Sequence, residues 1–216
     1  MEADDISEQI RAAVETEREE HLAEARFRTR GAIVIAVLAM LLAIASLGGE
    51  NATKETVNAN IHASDAWAFY QAKNIRQTAN QLAADELEAT ILVHGATLTD
   101  DSRQEIQRRL ERYRATAARY ESEPDANDPT NPLFGEGKKE LQARARHWEA
   151  RRDHAQVQDI NFDYARALFQ IAIVLGSVAI VATSRWILWF SLAVGSVATL
   201  LMLNGFFLVM HLPVAG

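Results

Sequence analysis

Glu17, Glu20, His21 and Glu24 share one face of a helix and could in principle hold a metal ion. The segment around them is charged throughout, and a solvated acidic helix with one incidental His explains the cluster without a metal. The other His residues, at 62, 94, 147, 154 and 211, are dispersed. His147 and His154 stand seven apart, but their neighbours are mainly Arg, which disfavours a cation. Asp100 and Asp101 fall where helix capping accounts for them. There is no glycine-rich phosphate loop, no HExxH, and no Ser in a strand–turn–helix nucleophile context. With no Cys, disulfides, thiolate metal sites and Cys nucleophiles are excluded, and the redox compartment stays open. The sequence therefore predicts no catalytic constellation, no enzyme, no cofactor and no metal.

The elements that would carry such residues are dominated by apolar runs. ALFQIAIVLGSVAIVAT and WILWFSLAVGSVATLLMLNGFFLVM lie back to back, interrupted only by Ser184 and Arg185. Each is long enough for a hydrocarbon core of about 30 Å, which takes roughly 20 helical residues. The interruption reads as the tip of a transmembrane hairpin. An earlier run, GAIVIAVLAMLLAIASL, spans 31–47 and can extend through Gly48 and Gly49. Ala43-Ile44-Ala45 resembles a signal-peptidase site, but the 30 residues before the run begin acidic, which favours an uncleaved signal-anchor. Ala32, Ala36, Ala39 and Ala43 form a small-residue stripe suited to close helix contact.

Between the spans the chain is polar. Residues 48–164 hold 20 Asp/Glu and 15 Lys/Arg, a net −5 that argues against a nucleic-acid partner. Long stretches free of Gly and Pro predict long helices. At the N-terminus, Ile6, Ile10, Ala13 and Val14 make only a weak stripe. Over 50–93 the expected seam is Val57, Ile61, Ser64, Ala68, Gln71, Ile75, Thr78 and Leu82, weakened by its polar members Ser64, Gln71 and Thr78. His94-Gly95 ends that helix, and Leu98 to Asp101 offers caps for the next. Ile106, Leu110, Tyr113, Ala117 and Tyr120 mark the second helix. Pro124, Pro129 and Pro132 mark a reversing loop over 121–137. Leu141, Trp148, Ala155, Phe162 and Phe169 then recur every seven residues, from the polar segment into the second apolar run.

Inside the apolar runs Gln170 and Asn204 are the strongly polar residues, and both are expected to face other helices. Ala172 and Gly176, and Ser191, Gly195 and Thr199, supply further close-packing faces. Trp186 and Trp189 sit beside Arg185, where an aromatic belt is expected. Trp67, Phe69 and Tyr70 read first as helix-packing residues and second as a ligand surface.

Two stretches carry a resemblance. NANIHASDAWAFYQAKNIRQT (58–78) is similar to a segment of the bacterial membrane-protein family called domain of unknown function 4337. FDYARALFQIAIVLGSVAIVATSRWILW (162–189) and LNGFFL (203–208) resemble that family's C-terminal hairpin. The resemblance implies a multi-span membrane protein and no particular activity. It directs attention to Trp67, Phe69, Tyr70, Gln71, Lys73 and Arg76 as a shared interaction surface.

The expected architecture is all-α: three transmembrane helices and a long, coiled-coil-like helical aqueous domain between the first and second. The expected boundaries are an N-terminal segment 1–30, spans at 31–49, 165–184 and 186–210, an aqueous domain at 50–164, and a tail at 211–216. The expected function is that of a membrane-anchored structural or interaction protein. Its partners would be the bilayer, copies of itself and an unidentified protein. The alternative is an oligomeric ion or small-solute conduit with Gln170 and Asn204 facing the path. A multi-pass cell (inner) membrane location follows. Arg18, Arg26, Arg28 and Arg30 before the first span assign the N-terminus to the cytoplasm.

Overall fold

A computed structural model describes residues 2–210, with side chains from Val14 onward. The expectations for Ile6, Ile10, Ala13, His211 and the tail 211–216 lie outside the described side chains. Among the described residues there are four helices and no strand. They are α1 (Glu2–His94), α2 (Asp100–Glu121), α3 (Lys138–Val181) and α4 (Arg185–Phe207). Stretches of α1, α3 and α4 are long and apolar enough to cross a membrane.

The helix ends follow from local chemistry. After α1 the N–H groups of Gly95 and Thr97 turn back onto the carbonyls of Ile91 (2.9 Å) and His94 (2.8 Å). Thr99 then caps α2 from an extended backbone, its hydroxyl accepting the Ser102 N–H at 3.3 Å. Asp100 and Asp101 in the first turn and Arg119 in the last complement the helix dipole. Between α3 and α4 the turn occupies 182–184, so Arg185 is the first residue of α4 rather than part of the tip. Thr183 adopts a left-handed backbone (φ 50°), which lets the Ser184 N–H reach the Ala179 carbonyl at 3.0 Å and end α3.

The chain forms two compact units. Among the described residues the first comprises those up to Lys54 and from Ala155 onward, the second Glu55–His154. In the first, α1 lies antiparallel to α3, and α3 to α4. Leu38, Ala45, Ala52, Phe162, Ala165, Phe169, Ala172, Ala198 and Met202 form its buried core. Phe162 is the knob of this core. A Cβ added at Gly48 would stand 2.6 Å from its Cε1, and one at Gly205 2.9 Å from the same atom, so only glycine admits the ring on both sides. The Ser191 hydroxyl donates to the Ala172 carbonyl at 2.6 Å, locking α4 to α3.

The small-residue stripe that α1 buries within the chain differs from the Ala32, Ala36, Ala39 and Ala43 stripe. Those four are exposed, whereas Gly31, Leu38, Ala45, Gly48, Gly49 and Ala52 are buried. Gly31 and Leu38 meet α3 and α4 respectively at Ile180 and Gly195.

The second unit packs 55–94 of α1 against α2 and the first 17 residues of α3, Lys138 to His154. The expected seam of α1 is not the face buried within this unit. Val57, Ile61, Ile75 and Leu82 are exposed, and α1 buries Ala59, Ala63, Ala66, Gln77 and Ala84 instead. Seven-residue recurrence is present on both faces, but contact among three helices within one unit selects the face of small side chains. On α3, Leu141 and Ala145 are buried; on α2, Leu110 and Ala117.

Candidate functional site

The segment containing WAFYQAK lies wholly in the second unit, and its helical phase divides it. Trp67, Tyr70 and Lys73 point inward or sideways; Phe69, Gln71 and Arg76 are exposed. The Trp67 indole N–H donates to Glu149 of α3 at 2.8 Å, and its ring meets Tyr70 edge-on at 5.5 Å. Five residues before Trp67, towards the start of the unit, His62 stacks on Trp148 at 4.5 Å.

Lys73 and Gln77 then reach α2 and the loop after it. The Lys73 ammonium donates to Glu123 at 3.0 Å, lies 3.8 Å from Glu136 and covers the Tyr120 ring at 5.5 Å. Gln77 is buried, and its amide N–H groups donate to the Ala117 carbonyl and to Glu121, both at 3.1 Å. Its oxygen accepts from Lys138 at 2.6 Å. Lys138 also pairs with Glu121 at 3.3 Å and lies over Tyr70 at 5.6 Å. The hydrogen bond from Gln77, reinforced by Lys138, holds the Glu121 carboxyl below the usual carboxylate range.

Glu140, also buried, closes the Pro-rich loop. Its carboxylate accepts from the Ser122 hydroxyl at 2.7 Å and from the Glu123 N–H at 3.1 Å. Burial is the largest single influence on this group and favours the neutral acid. The Ser122 hydroxyl, the backbone N–H groups and Lys139 together outweigh it, so its pKa is lowered. Arg144 pins the loop from α3 by donating to the Leu133 (2.7 Å) and Gly135 (2.8 Å) carbonyls. Within this cluster each carboxylate has a donor and each ammonium an acceptor. The arrangement suits holding three helices and a loop in register.

In the first unit Gln170 and Asn204 meet different surroundings. Asn204 is buried: its amide N–H groups donate to Asn161 Oδ1 and to the Met210 carbonyl, and its oxygen accepts the Met210 N–H, all at 2.8 Å. Gln170 is exposed on α3 beside Ala167, Ile171 and Val174. Glu17, Glu20, His21 and Glu24 are exposed along α1, and among the described residues no three His, Asp or Glu gather as a metal set.

Sequence reasoning missed Gln77, Glu140 and Asn161 as buried polar anchors. For Gln77 a signal existed: it stands at seven-residue spacing with Ala63, Tyr70 and Ala84. Asn161 and Glu140 carried none, because their partners come from distant positions or from the loop.

These features define a class: an all-helical chain with three helices apolar enough to span a membrane and a polar three-helix unit held by buried side-chain hydrogen bonds. Residues 27–208 match the family model described as Domain of unknown function (DUF4337), and the chain belongs to that family. Searches of curated proteins and of solved structures find no match.

Proposed function

We propose that this is a membrane-anchored interaction protein that self-associates through the outward face of α1. The observation that carries this reading is an uncovered apolar stripe in the second unit. Ile61, Ala68, Ala72, Ile75, Ala79 and Leu82 follow one another at spacings of seven, four, three, four and three, and all are exposed. Ile75 is 69% exposed and Leu82 64%. That spacing is the seam of a left-handed coiled coil, and its alanines allow close approach. Burying side chains the size of Ile75 and Leu82 is worth about 1.5–3 kcal/mol each, so leaving them in water forgoes substantial stabilisation. Phe69, Gln71 and Arg76 flank the stripe and would add contacts at its edge.

The conduit reading draws no support from Asn204, whose polar groups are engaged within the chain. The test of self-association is the particle mass of the detergent-solubilised full chain, with bound detergent subtracted. Wild type should exceed the monomer mass, and the pair Ile75→Asp with Leu82→Asp should return it towards monomer without loss of helicity. Strictly monomeric wild type at several protein and detergent concentrations would overturn the reading.

A further inference from the structure

A slot in the first unit combines charge and apolar surface in a way that the core does not require. It is a half-open slot of about 510 Å³, lined by Arg26 and Arg30 from α1 and by Arg185, Leu188, Trp189 and Leu192 from α4. Cavities of roughly 300–1,000 Å³ are the usual size for small-molecule sites. Arg26 and Arg30 are one helical turn apart, and Arg185 opens α4. Among the described residues, none of the three has a carboxylate within ion-pair distance, although Arg28 between them pairs with Glu24 at 3.7 Å. No Asp or Glu lines the slot. Three Arg side chains and no carboxylate give the cationic end of the slot a net positive charge.

The other end of the slot is apolar. One turn beyond Arg30 comes Val34, and along α4 the lining passes from Arg185 through Leu188 and Trp189 to Leu192. Both helices therefore run from cationic to apolar in the same direction. The change falls where the runs long enough to cross a membrane begin, at Gly31 and after Arg185. A ligand matching that gradient is an amphiphile with an anionic head.

We propose that this slot binds one anionic phospholipid. Its phosphate lies among Arg26, Arg30 and Arg185, where guanidinium forks suit phosphate oxygens. Its upper acyl chain lies along Val34, Leu188 and Leu192, with Trp189 at the level of the headgroup. A free phosphate would use the cationic end and leave the apolar end empty, so a lipid is the better occupant. The inference rests on the membrane-embedded part of the proposed function and is independent of self-association.

The test is native mass spectrometry of the full chain in detergent, titrated separately with phosphatidylglycerol, phosphatidylcholine and inorganic phosphate. Phosphatidylglycerol should bind at least about tenfold more tightly than phosphatidylcholine, and the combined Arg26→Gln, Arg30→Gln, Arg185→Gln variant should lose that preference. The three single Gln variants, each at an exposed position, should each weaken it in part, which keeps the test open if the triple variant misfolds. Arg108→Gln with Arg109→Gln, in the second unit, should leave the preference intact. Leu192→Asn should weaken phosphatidylglycerol binding and leave phosphate binding unchanged. Equal binding of the two lipids, or a preference that survives in all the Arg variants, overturns the proposal. Phosphate binding as tight as phosphatidylglycerol, indifferent to Leu192→Asn, overturns the lipid as the occupant. Carbonate extraction separates the two readings: protein released from membranes refutes the membrane anchor, whereas retained protein without lipid preference refutes only the slot.

Discussion

The side-chain amide of Asn204 donates to the side-chain oxygen of Asn161 at 2.8 Å, joining α4 to α3 with both residues buried. Asn161 gives its own N–H to the Val157 carbonyl at 2.8 Å. Asn204 fastens the backbone of Met210 with its remaining groups. One amide pair thus sets the axial register of two helices and folds back the residues after α4. A double-mutant cycle with Asn161→Ala and Asn204→Ala, read by thermal unfolding in detergent, should give a coupling of about 0.6–1.7 kcal/mol. Additive losses would show that the two amides act independently.

Phe162 makes a second prediction, one of shape. Gly48→Ala and Gly205→Ala each place a methyl within 3 Å of the ring, and each should destabilise by about 1–3 kcal/mol through overpacking. Shortening the knob with Phe162→Leu should recover part of the loss in either background. If both alanine variants melt with wild type, the ring is not confined as described.

Glu140 predicts an acid limb of stability. Its carboxyl titrates below its unfolded value in the native state, so the unfolded chain binds the proton first as pH falls. The stabilisation is therefore complete above about pH 4.3, the ordinary glutamate value, and is lost as pH drops through the lowered native value. Glu140→Gln should cost roughly 1–3 kcal/mol near neutrality, and the gap between variant and wild type should close in acid. Melts from about pH 7 down to about pH 3 check this. A gap that stays constant with pH would assign the loss to packing alone.

Thr183 carries a branched side chain at φ 50°, a conformation costing L residues about 1–2 kcal/mol. Thr183→Gly relieves that strain at some cost in unfolded-chain entropy, for an expected net gain of about 0.5–1 kcal/mol. Thr183→Ala, which keeps the Cβ, should not raise the melting temperature. A lower melting temperature for the Gly variant would mean that the Thr side chain contributes more than its backbone costs.

Orientation is open to a direct assay, because the chain has no Cys to interfere. Asn127 is exposed in the Pro-rich loop. With a cytoplasmic N-terminus, Asn127→Cys should react with an impermeant maleimide in intact spheroplasts. Reaction only after permeabilisation would place the second unit in the cytoplasm.

Much of this molecule is determined by one-dimensional patterns. Apolar runs of sufficient length, the absence of Pro before Pro124 and the His94-Gly95 break are local properties, and they determine the four helices and the three stretches able to cross a membrane. The heptad of α3 was likewise legible, because Leu141, Phe162 and Phe169 are large and few alternatives compete with them. Which face of α1 is buried within the chain was not. Its two candidate faces share the same period, and reading hydrophobicity alone favours the one bearing Ile61, Ile75 and Leu82. Three helices packed closely instead enclose Ala59, Ala63 and Ala66, because interaxial distance is limited by side-chain size, and the larger residues are left outside. The same holds for polar partners. A lone Asn204 announces that it needs a hydrogen bond, but its partner is 43 positions away. That pairing, and the meeting of Arg26 and Arg30 with Arg185, depend on helix register and rotation. Those are decided only when all three helices pack at once.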